Sequence, residues 1–105
     1  IDVCVLGMGE DFHIASIFPD ADKLEEALSV ESNEVVLPIN STSAGEARLT
    51  LTSLVLKSVL SRHLLIVGEQ KRRALEVALS MQTEKEAPVR SILFDKSKTN
   101  IHYAR

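Results

Sequence analysis

Two short apolar runs, each closed by a glycine, dominate the hydrophobic pattern of this chain. Residues 3–6 lead into Gly7, and residues 64–67 lead into Gly68 and then into a segment with helical periodicity. Short apolar runs that end in a glycine turn are typical of buried parallel strands, and their carboxyl ends form the edge where ligands bind in open α/β sheets. The pattern therefore predicts an α/β fold with buried parallel strands, one of them followed directly by a helix.

The remaining segments predict further helices and strands. Apolar residues recur at helical spacing, or alternate with polar residues, in stretches that Gly, Pro and polar loops separate. Helices are predicted at 22–28, 54–60, 69–81 and 88–93, and strands at 3–6, 35–39, 48–52, 63–67 and 100–104. In the strand at 48–52, the alternation predicts that Leu49 and Leu51 face the core.

Composition narrows the class of protein. The 105 residues are 45% hydrophobic and 26% charged, with a net charge of −3, which indicates one globular unit. The acidic balance and the shortness of the basic run at 71–73 argue against nucleic acid as a partner. Since no apolar run is long enough to span a bilayer and no signal peptide is evident, we expect no membrane partner and a cytoplasmic location.

The start of the chain leads to two further expectations. Cys4 is the only cysteine and lies inside the first predicted strand, so a buried and unreactive thiol is expected rather than a disulfide. Because the first residues already belong to a core strand, residues 1–105 are expected to form a single partial domain. A missing amino-terminal half is expected to pack against its sheet. The oligomeric state is left open.

The turn after the first strand carries the candidate chemistry, because it presents Glu10, Asp11 and His13 together. An imidazole beside a carboxylate can act as a general base near neutral pH, since the carboxylate fixes the tautomer and raises the basicity of the ring. The alternative is that His13 caps a following short helix while Asp11 accepts backbone N–H groups. A dinucleotide site is disfavoured, because Phe12 stands where a third glycine would be needed.

A second candidate site lies where the later apolar run enters its helix. The helix start behind Gly68 offers N–H groups and the positive end of the helix dipole to an anion, and Lys71 would add a full positive charge. The alternative is that Lys71 is a solvated surface residue. Arg48 could likewise bind substrate or only pair with an acidic side chain. His63 and His102 are expected to be structural, and without a cluster of Cys and His no metal site is expected.

Three motifs in the chain carry a family resemblance. They are Gly-Met-Gly-Glu-Asp-x-His-x-Ala-Ser-x-Phe-Pro at 7–19, Arg-Leu-Thr-Leu-Thr at 48–52 and Gly-Glu-Gln-Lys at 68–71. Together they resemble the 6-phosphogluconolactonases, which share a superfamily with the glucosamine-6-phosphate deaminases. The resemblance covers the carboxyl-terminal half of such enzymes. Their amino-terminal half, which supplies a glycine-rich phosphate loop, has no counterpart in these residues.

The resemblance implies a Rossmann-like three-layer fold with a mostly parallel sheet flanked by helices. It also implies hydrolysis of 6-phosphoglucono-δ-lactone to 6-phosphogluconate in the pentose phosphate pathway, with a small-molecule sugar phosphate lactone as substrate and no cofactor. His13 would act as the general base on water, with Asp11 and Glu10 beside it. The substrate- and phosphate-binding residues implied are Lys71, Gly68, Arg48 and Gly9.

Two positions bear on the alternatives within this resemblance. Deaminases place a proton-transferring Glu where this chain has Phe18, which favours lactone hydrolysis. Lactonases have a glycine at the position of Phe12, and a phenylalanine is strained there if the turn needs a positive φ. A deaminase or isomerase activity, and a non-catalytic module that binds a sugar phosphate, are the alternatives.

Overall fold

The computed structural model describes residues 2–95 and 98–105 of the chain. Its strands are β1 (Val3–Gly7), β2 (Val36–Ile39), β3 (Arg48–Leu51), β4 (Ser61–Val67) and β5 (Thr99–Ala104). Its helices are α1 (Leu24–Leu28), α2 (Ser53–Ser58), α3 (Glu69–Ser80) and α4 (Arg90–Leu93). Each segment predicted from periodicity is confirmed as the expected helix or strand, with ends that shift by about two residues at most. None of these helices is long and apolar enough to cross a membrane.

β4 lies at the centre of a three-stranded sheet with the order β1-β4-β5. Both neighbours run parallel to it, with Gly7 of β1 opposite Leu65 and Ala104 of β5 opposite Val67. β2 and β3 form a separate antiparallel pair. Because parallel strands end at the same edge of a sheet, the turn after β1 and the turn from β4 into α3 lie at one edge. The expected α/β fold, with a parallel sheet flanked by helices, is confirmed.

The core lies on one face of the parallel sheet. Leu6, Leu64 and Ile66 point into it. The helices contribute the buried residues Ala27, Leu28, Leu56, Leu75, Ala78 and Ile92. The other face is open in the part of the chain that the structure describes, where Val3 and Val5 are 58% and 57% exposed. The described residues therefore supply two of the three layers that the resemblance implies.

The exposure of β1 corrects two expectations. Its apolar run predicts a strand buried on both faces, but Leu6 is the residue of β1 that is buried. Cys4 packs against the core and yet is half-exposed rather than buried. A parallel strand needs cover on both faces, whereas the described helices pack on one face and β1 lies at the sheet edge. An amino-terminal half that covers the open face stays a prediction.

β3 follows its predicted alternation only in part. Leu49 is 70% exposed, whereas Thr50 is 3% exposed. Leu51 is half-buried and packs against the core as expected. Thr50 is accommodated inside because its hydroxyl donates to the carbonyl of Leu51 and accepts the N–H of Ser16. The expectation that Leu49 faces the core is therefore wrong.

A buried arginine ties β4 to three other elements. Arg62 is 1% exposed, and its guanidinium lies 3.3 Å from Oδ2 of Asp95. It also donates to the carbonyl of Leu56 in α2, the carbonyl of Ile92 in α4 and the hydroxyl of Thr99 in β5. A buried charge destabilises a protein unless it is paired and hydrogen-bonded, and here these bonds hold the start of β4 against its neighbours.

Removal of this guanidinium should destabilise the fold strongly. Arg62→Ala leaves several interior acceptors without their donor, and we expect the free energy of unfolding to fall by about 3–5 kcal/mol. Arg73→Ala is the control, because Arg73 forms a surface ion pair with Glu69, and its loss should change that free energy by less than about 1 kcal/mol. Urea denaturation followed by circular dichroism measures both values. Equal losses in the two variants would contradict the role of Arg62.

Candidate active site

The turn after β1 is a three-residue hairpin loop at the carboxyl edge of the sheet. The N–H of Gly9 donates to the carbonyl of His13 at 3.0 Å, and the N–H of Phe12 donates to the carbonyl of Gly9 at 2.9 Å. Met8 and Ile14 flank the loop, form an antiparallel bridge and are both buried. These apolar anchors hold the turn to the core and leave its polar residues at or near the surface.

Phe12 occupies the left-handed position of this loop. Its φ is +74°, and the third residue of such a loop commonly takes this conformation as a glycine. The left-handed region costs a residue with a Cβ about 1–2 kcal/mol. The turn therefore needs the positive φ that the lactonase motif suggests, and the contacts of Phe12 with its surroundings must hold it there. Ala15, with a φ of +50°, adopts a second such conformation just after the loop.

Asp11 and His13 form a close pair. Oδ1 of Asp11 lies 2.5 Å from Nδ1 of His13 and accepts the backbone N–H of His13 at 3.2 Å. Because a carboxylate can only accept at Nδ1, these partners assign the proton of the neutral ring to Nδ1 and leave Nε2 as the basic nitrogen. Gly9 makes room for the ring, since a Cβ there would lie 2.2 Å from two atoms of the imidazole. Residues 14–23 contain no helix, so the alternative in which His13 caps one is wrong.

Phe18 connects His13 to β3. The ring of Phe18 is buried, and its centroid lies 4.3 Å from the centroid of the imidazole. The guanidinium carbon of Arg48 lies 5.7 Å from the same Phe18 centroid. Two residues further along β3, the hydroxyl of Thr50 accepts the N–H of Ser16 at 3.0 Å. β3 therefore fixes the segment after the turn. It also places the guanidinium of Arg48 against the same Phe18 ring that contacts the imidazole of His13.

Lys71 and His13 line the same cavity. The cavity has a volume of about 400 Å³, and its wall includes the end of β1, Gly9, Ala15, His13 and Lys71. Lys71 lies in the first turn of α3, and this helix begins directly after Gly68. The φ of +93° at Gly68 lets β4 turn sharply into the helix. Lys71 thus shares one cavity with the imidazole of His13, and a cation in this position suits an anionic substrate.

Other candidate residues lie outside this cavity. Glu10 is exposed at the tip of the turn. Arg48 is not part of the cavity wall and lies 3.9 Å from Glu46. His63 and His102 lie on the open face of the sheet, where Nδ1 of the first is 2.9 Å from Nε2 of the second. Within residues 2–95 and 98–105, no group of three or more His, Cys, Asp or Glu side chains could hold a metal ion.

The loop that leads into β3 is tied to the segment after the turn through Asp20. The hydroxyl of Ser41 donates to Oδ1 of Asp20 at 2.5 Å, and the N–H and hydroxyl of Ser43 both donate to Oδ2 at 3.0 Å. These bonds, that of the Ser41 hydroxyl foremost, hold the pKa of Asp20 below its ordinary value. Because the folded-state pKa is lowered, this tether stabilises the loop above the ordinary carboxylate pKa and is lost as the pH falls through the lowered value.

Comparison with known proteins identifies the family of this chain. The model for the family "Glucosamine-6-phosphate isomerases/6-phosphogluconolactonase" matches residues 1–102. The chain belongs to this family. A 6-phosphogluconolactonase of Mesorhizobium japonicum is 46% identical over 95 residues, which are 89% of this chain. Another from Pseudomonas aeruginosa is 38% identical over 103 residues, which are 98% of this chain.

Solved structures of this lactonase and isomerase family have the same fold. The crystal structure of a 6-phosphogluconolactonase from Shewanella baltica matches with a TM-score of 0.92 at 32% identity, over 100% of this chain and 45% of that chain. The 6-phosphogluconolactonase from Thermotoga maritima matches with a TM-score of 0.72 at 26% identity, over 100% of this chain and 44% of that chain. The chain spans about two fifths of its curated relatives, 38% of the M. japonicum protein and 42% of the P. aeruginosa protein.

Proposed function

We propose that this chain carries the general base and the phosphate-binding lysine of a 6-phosphogluconolactonase, which hydrolyses 6-phosphoglucono-δ-lactone to 6-phosphogluconate. The observation that carries the proposal is the cavity shared by His13 and Lys71, with Asp11 2.5 Å from the imidazole. This substrate has a reactive carbonyl at one end and a phosphate at the other, so it calls for a base and a cation in one cavity. Hydrolysis of a lactone needs water alone, so the proposed reaction uses no cofactor.

His13 acts on the attacking water. Nε2 takes a proton from water as the water oxygen bonds to the lactone carbonyl carbon, and the imidazolium returns the proton to the ring oxygen as the C–O bond breaks. Asp11 keeps the ring oriented through Nδ1 and stabilises the imidazolium between the two steps. A lactone is an activated ester, so the roughly 10²–10⁴-fold acceleration from a placed base, added to positioning, is a sufficient scale of catalysis. Glu10 adds negative charge beside Asp11 and takes no proton in this scheme.

Lys71 binds the phosphate. Its ammonium group supplies a full positive charge, and the amino end of the 12-residue α3 adds N–H groups and a partial positive charge. The sharp turn at Gly68 brings that helix end to the carboxyl edge of the sheet, and Gly9 keeps the space beside His13 open. Arg48 adds a second cation near the site and favours the approach of an anionic sugar phosphate.

Lactone hydrolysis is favoured over the deaminase or isomerase reaction of the same family. The relatives at 46% and 38% identity are named 6-phosphogluconolactonase. Phe18 stands where deaminases place a proton-transferring Glu, and its ring is buried against the imidazole of His13. A phenyl ring has no proton to transfer, which supports the lactonase reaction. Release of ammonia from glucosamine 6-phosphate would establish the alternative.

The longer relatives indicate what completes the site. We expect a further segment, equivalent to the rest of those proteins, to cover the open face of the parallel sheet, where Val3 and Val5 are exposed. Such cover would stabilise the sheet by removing apolar surface from water. A role in the pentose phosphate pathway, a cytoplasmic location and independence from nucleic acid belong to the same proposal.

Replacement of the proposed base should slow turnover far more than it weakens binding. In the complete protein, His13→Ala should lower kcat for 6-phosphogluconolactone by roughly 10²–10⁴-fold with little change in KM, because the base acts in the transition state. His63→Ala is the matched control, since it removes another imidazole that lies outside the cavity of His13. A pH-stat assay of acid release measures both parameters. Similar kcat values for His13→Ala and His63→Ala would sink the role of His13.

Replacement of the lysine proposed to bind the phosphate should weaken substrate binding more than it slows turnover. Lys71→Ala removes a charge-assisted hydrogen bond to the substrate, so we expect KM to rise by about 10-fold to 100-fold with a smaller change in kcat. Arg73→Ala, two positions along the same helix and exposed, is the control for loss of positive charge. The same assay at several substrate concentrations separates the two parameters. A KM that rises equally in both variants would mean that Lys71 acts only through general charge.

A further inference from the structure

Phe12 lies between the two members of the Asp11–His13 pair, in a conformation that glycine adopts far more readily. Its φ is +74°, and a phenylalanine persists in this region only where its surroundings hold it there. A glycine would form the turn without strain, but its backbone would also be freer to leave that conformation. The contacts that hold Phe12 therefore bear directly on how firmly Asp11 and His13 are placed.

Three contacts hold Phe12. Its N–H donates to the carbonyl of Gly9 at 2.9 Å, which closes the turn. Its carbonyl accepts the N–H of Val89 at 3.0 Å, and Val89 is buried directly before α4. Its half-buried ring packs against the hydrophobic core. A glycine could form both backbone bonds but not the third contact, so core packing is what a phenylalanine adds at this position.

We propose that the side chain of Phe12 is a positioning group for His13. By packing against the core it keeps the left-handed turn closed, and the closed turn keeps Oδ1 of Asp11 at 2.5 Å from Nδ1 of the imidazole. Phe12 touches no reacting atom and acts through the Asp11–His13 pair. The inference rests on the proposed function of His13 as the general base, and it assigns a role to the residue at which this chain departs from the lactonase motif.

Substitutions at Phe12 in the complete protein test the proposal. Phe12→Gly and Phe12→Asn both tolerate the left-handed conformation but lack the ring. We expect each to lower kcat for 6-phosphogluconolactone by about 10-fold to 100-fold with KM nearly unchanged, because the base is displaced while the phosphate site is intact. Phe12→Leu keeps an apolar side chain against the core and should recover most of kcat. Phe94→Ala removes an exposed phenylalanine and serves as the control.

NMR spectra of the same variants give a readout that does not depend on turnover. In Phe12→Gly and Phe12→Asn the amide of Val89 should exchange at least about 10-fold faster with solvent, because the carbonyl that it binds is no longer held. The ring ¹⁵N signals of His13 should move toward those of an imidazole that exchanges between tautomers. Phe12→Leu should retain the wild-type signals at both places.

The outcomes separate this proposal from the one on which it rests. An unchanged kcat in Phe12→Gly and Phe12→Asn would overturn the positioning role, and so would a lowered kcat with unchanged Val89 and His13 signals. A rise in KM alone would also overturn it. If the wild-type protein has no lactonase activity while both signals change as expected, the positioning of the ring stands and the reaction proposed for it fails.

Discussion

The parallel pairing of β1 with β4 is the constraint on which the candidate site depends. Gly7 lies opposite Leu65, so both strands end at one edge, and the turn that carries His13 meets the first turn of α3. An antiparallel pairing would carry Lys71 to the other edge, and a shift of one residue would turn the side chains of β1 to the wrong face. The chemistry proposed for His13 and Lys71 thus depends on backbone bonds in which neither side chain takes part.

The turn after β1 adds a second, local constraint. Three residues must return the chain from Gly9 to His13, which requires a left-handed residue at Phe12 and leaves no room for a Cβ at Gly9. The burial of Met8 and Ile14 on either side offsets the cost of that conformation. The same core that stabilises the fold therefore holds an imidazole and a carboxylate in contact at its surface.

Local periodicity was sufficient to predict each helix and strand, because burial follows spacings of two, three and four residues within one element. Periodicity does not show that Thr50 is buried and Leu49 exposed in β3. The burial of Thr50 depends on a hydrogen bond to Ser16, which is 34 residues away in the sequence. The pairing of Asp11 with His13 could be predicted from their spacing, whereas the approach of Lys71 required the parallel topology and the family resemblance. No sequence pattern encodes the tilted contact between the Phe18 ring and the imidazole, so this contact is visible only in the structure.

The structure of the complete protein with bound 6-phosphogluconate, the product of the proposed reaction, tests the shared site most directly. We expect phosphate oxygens at about 3 Å from Nζ of Lys71, and the product carboxylate beside Nε2 of His13. Such a complex would show that the edge shared by β1 and β4 binds both ends of the sugar. Product bound with its carboxylate remote from His13, or in the separate cavity beside Asp20 and Ser41, would contradict a site shared by His13 and Lys71.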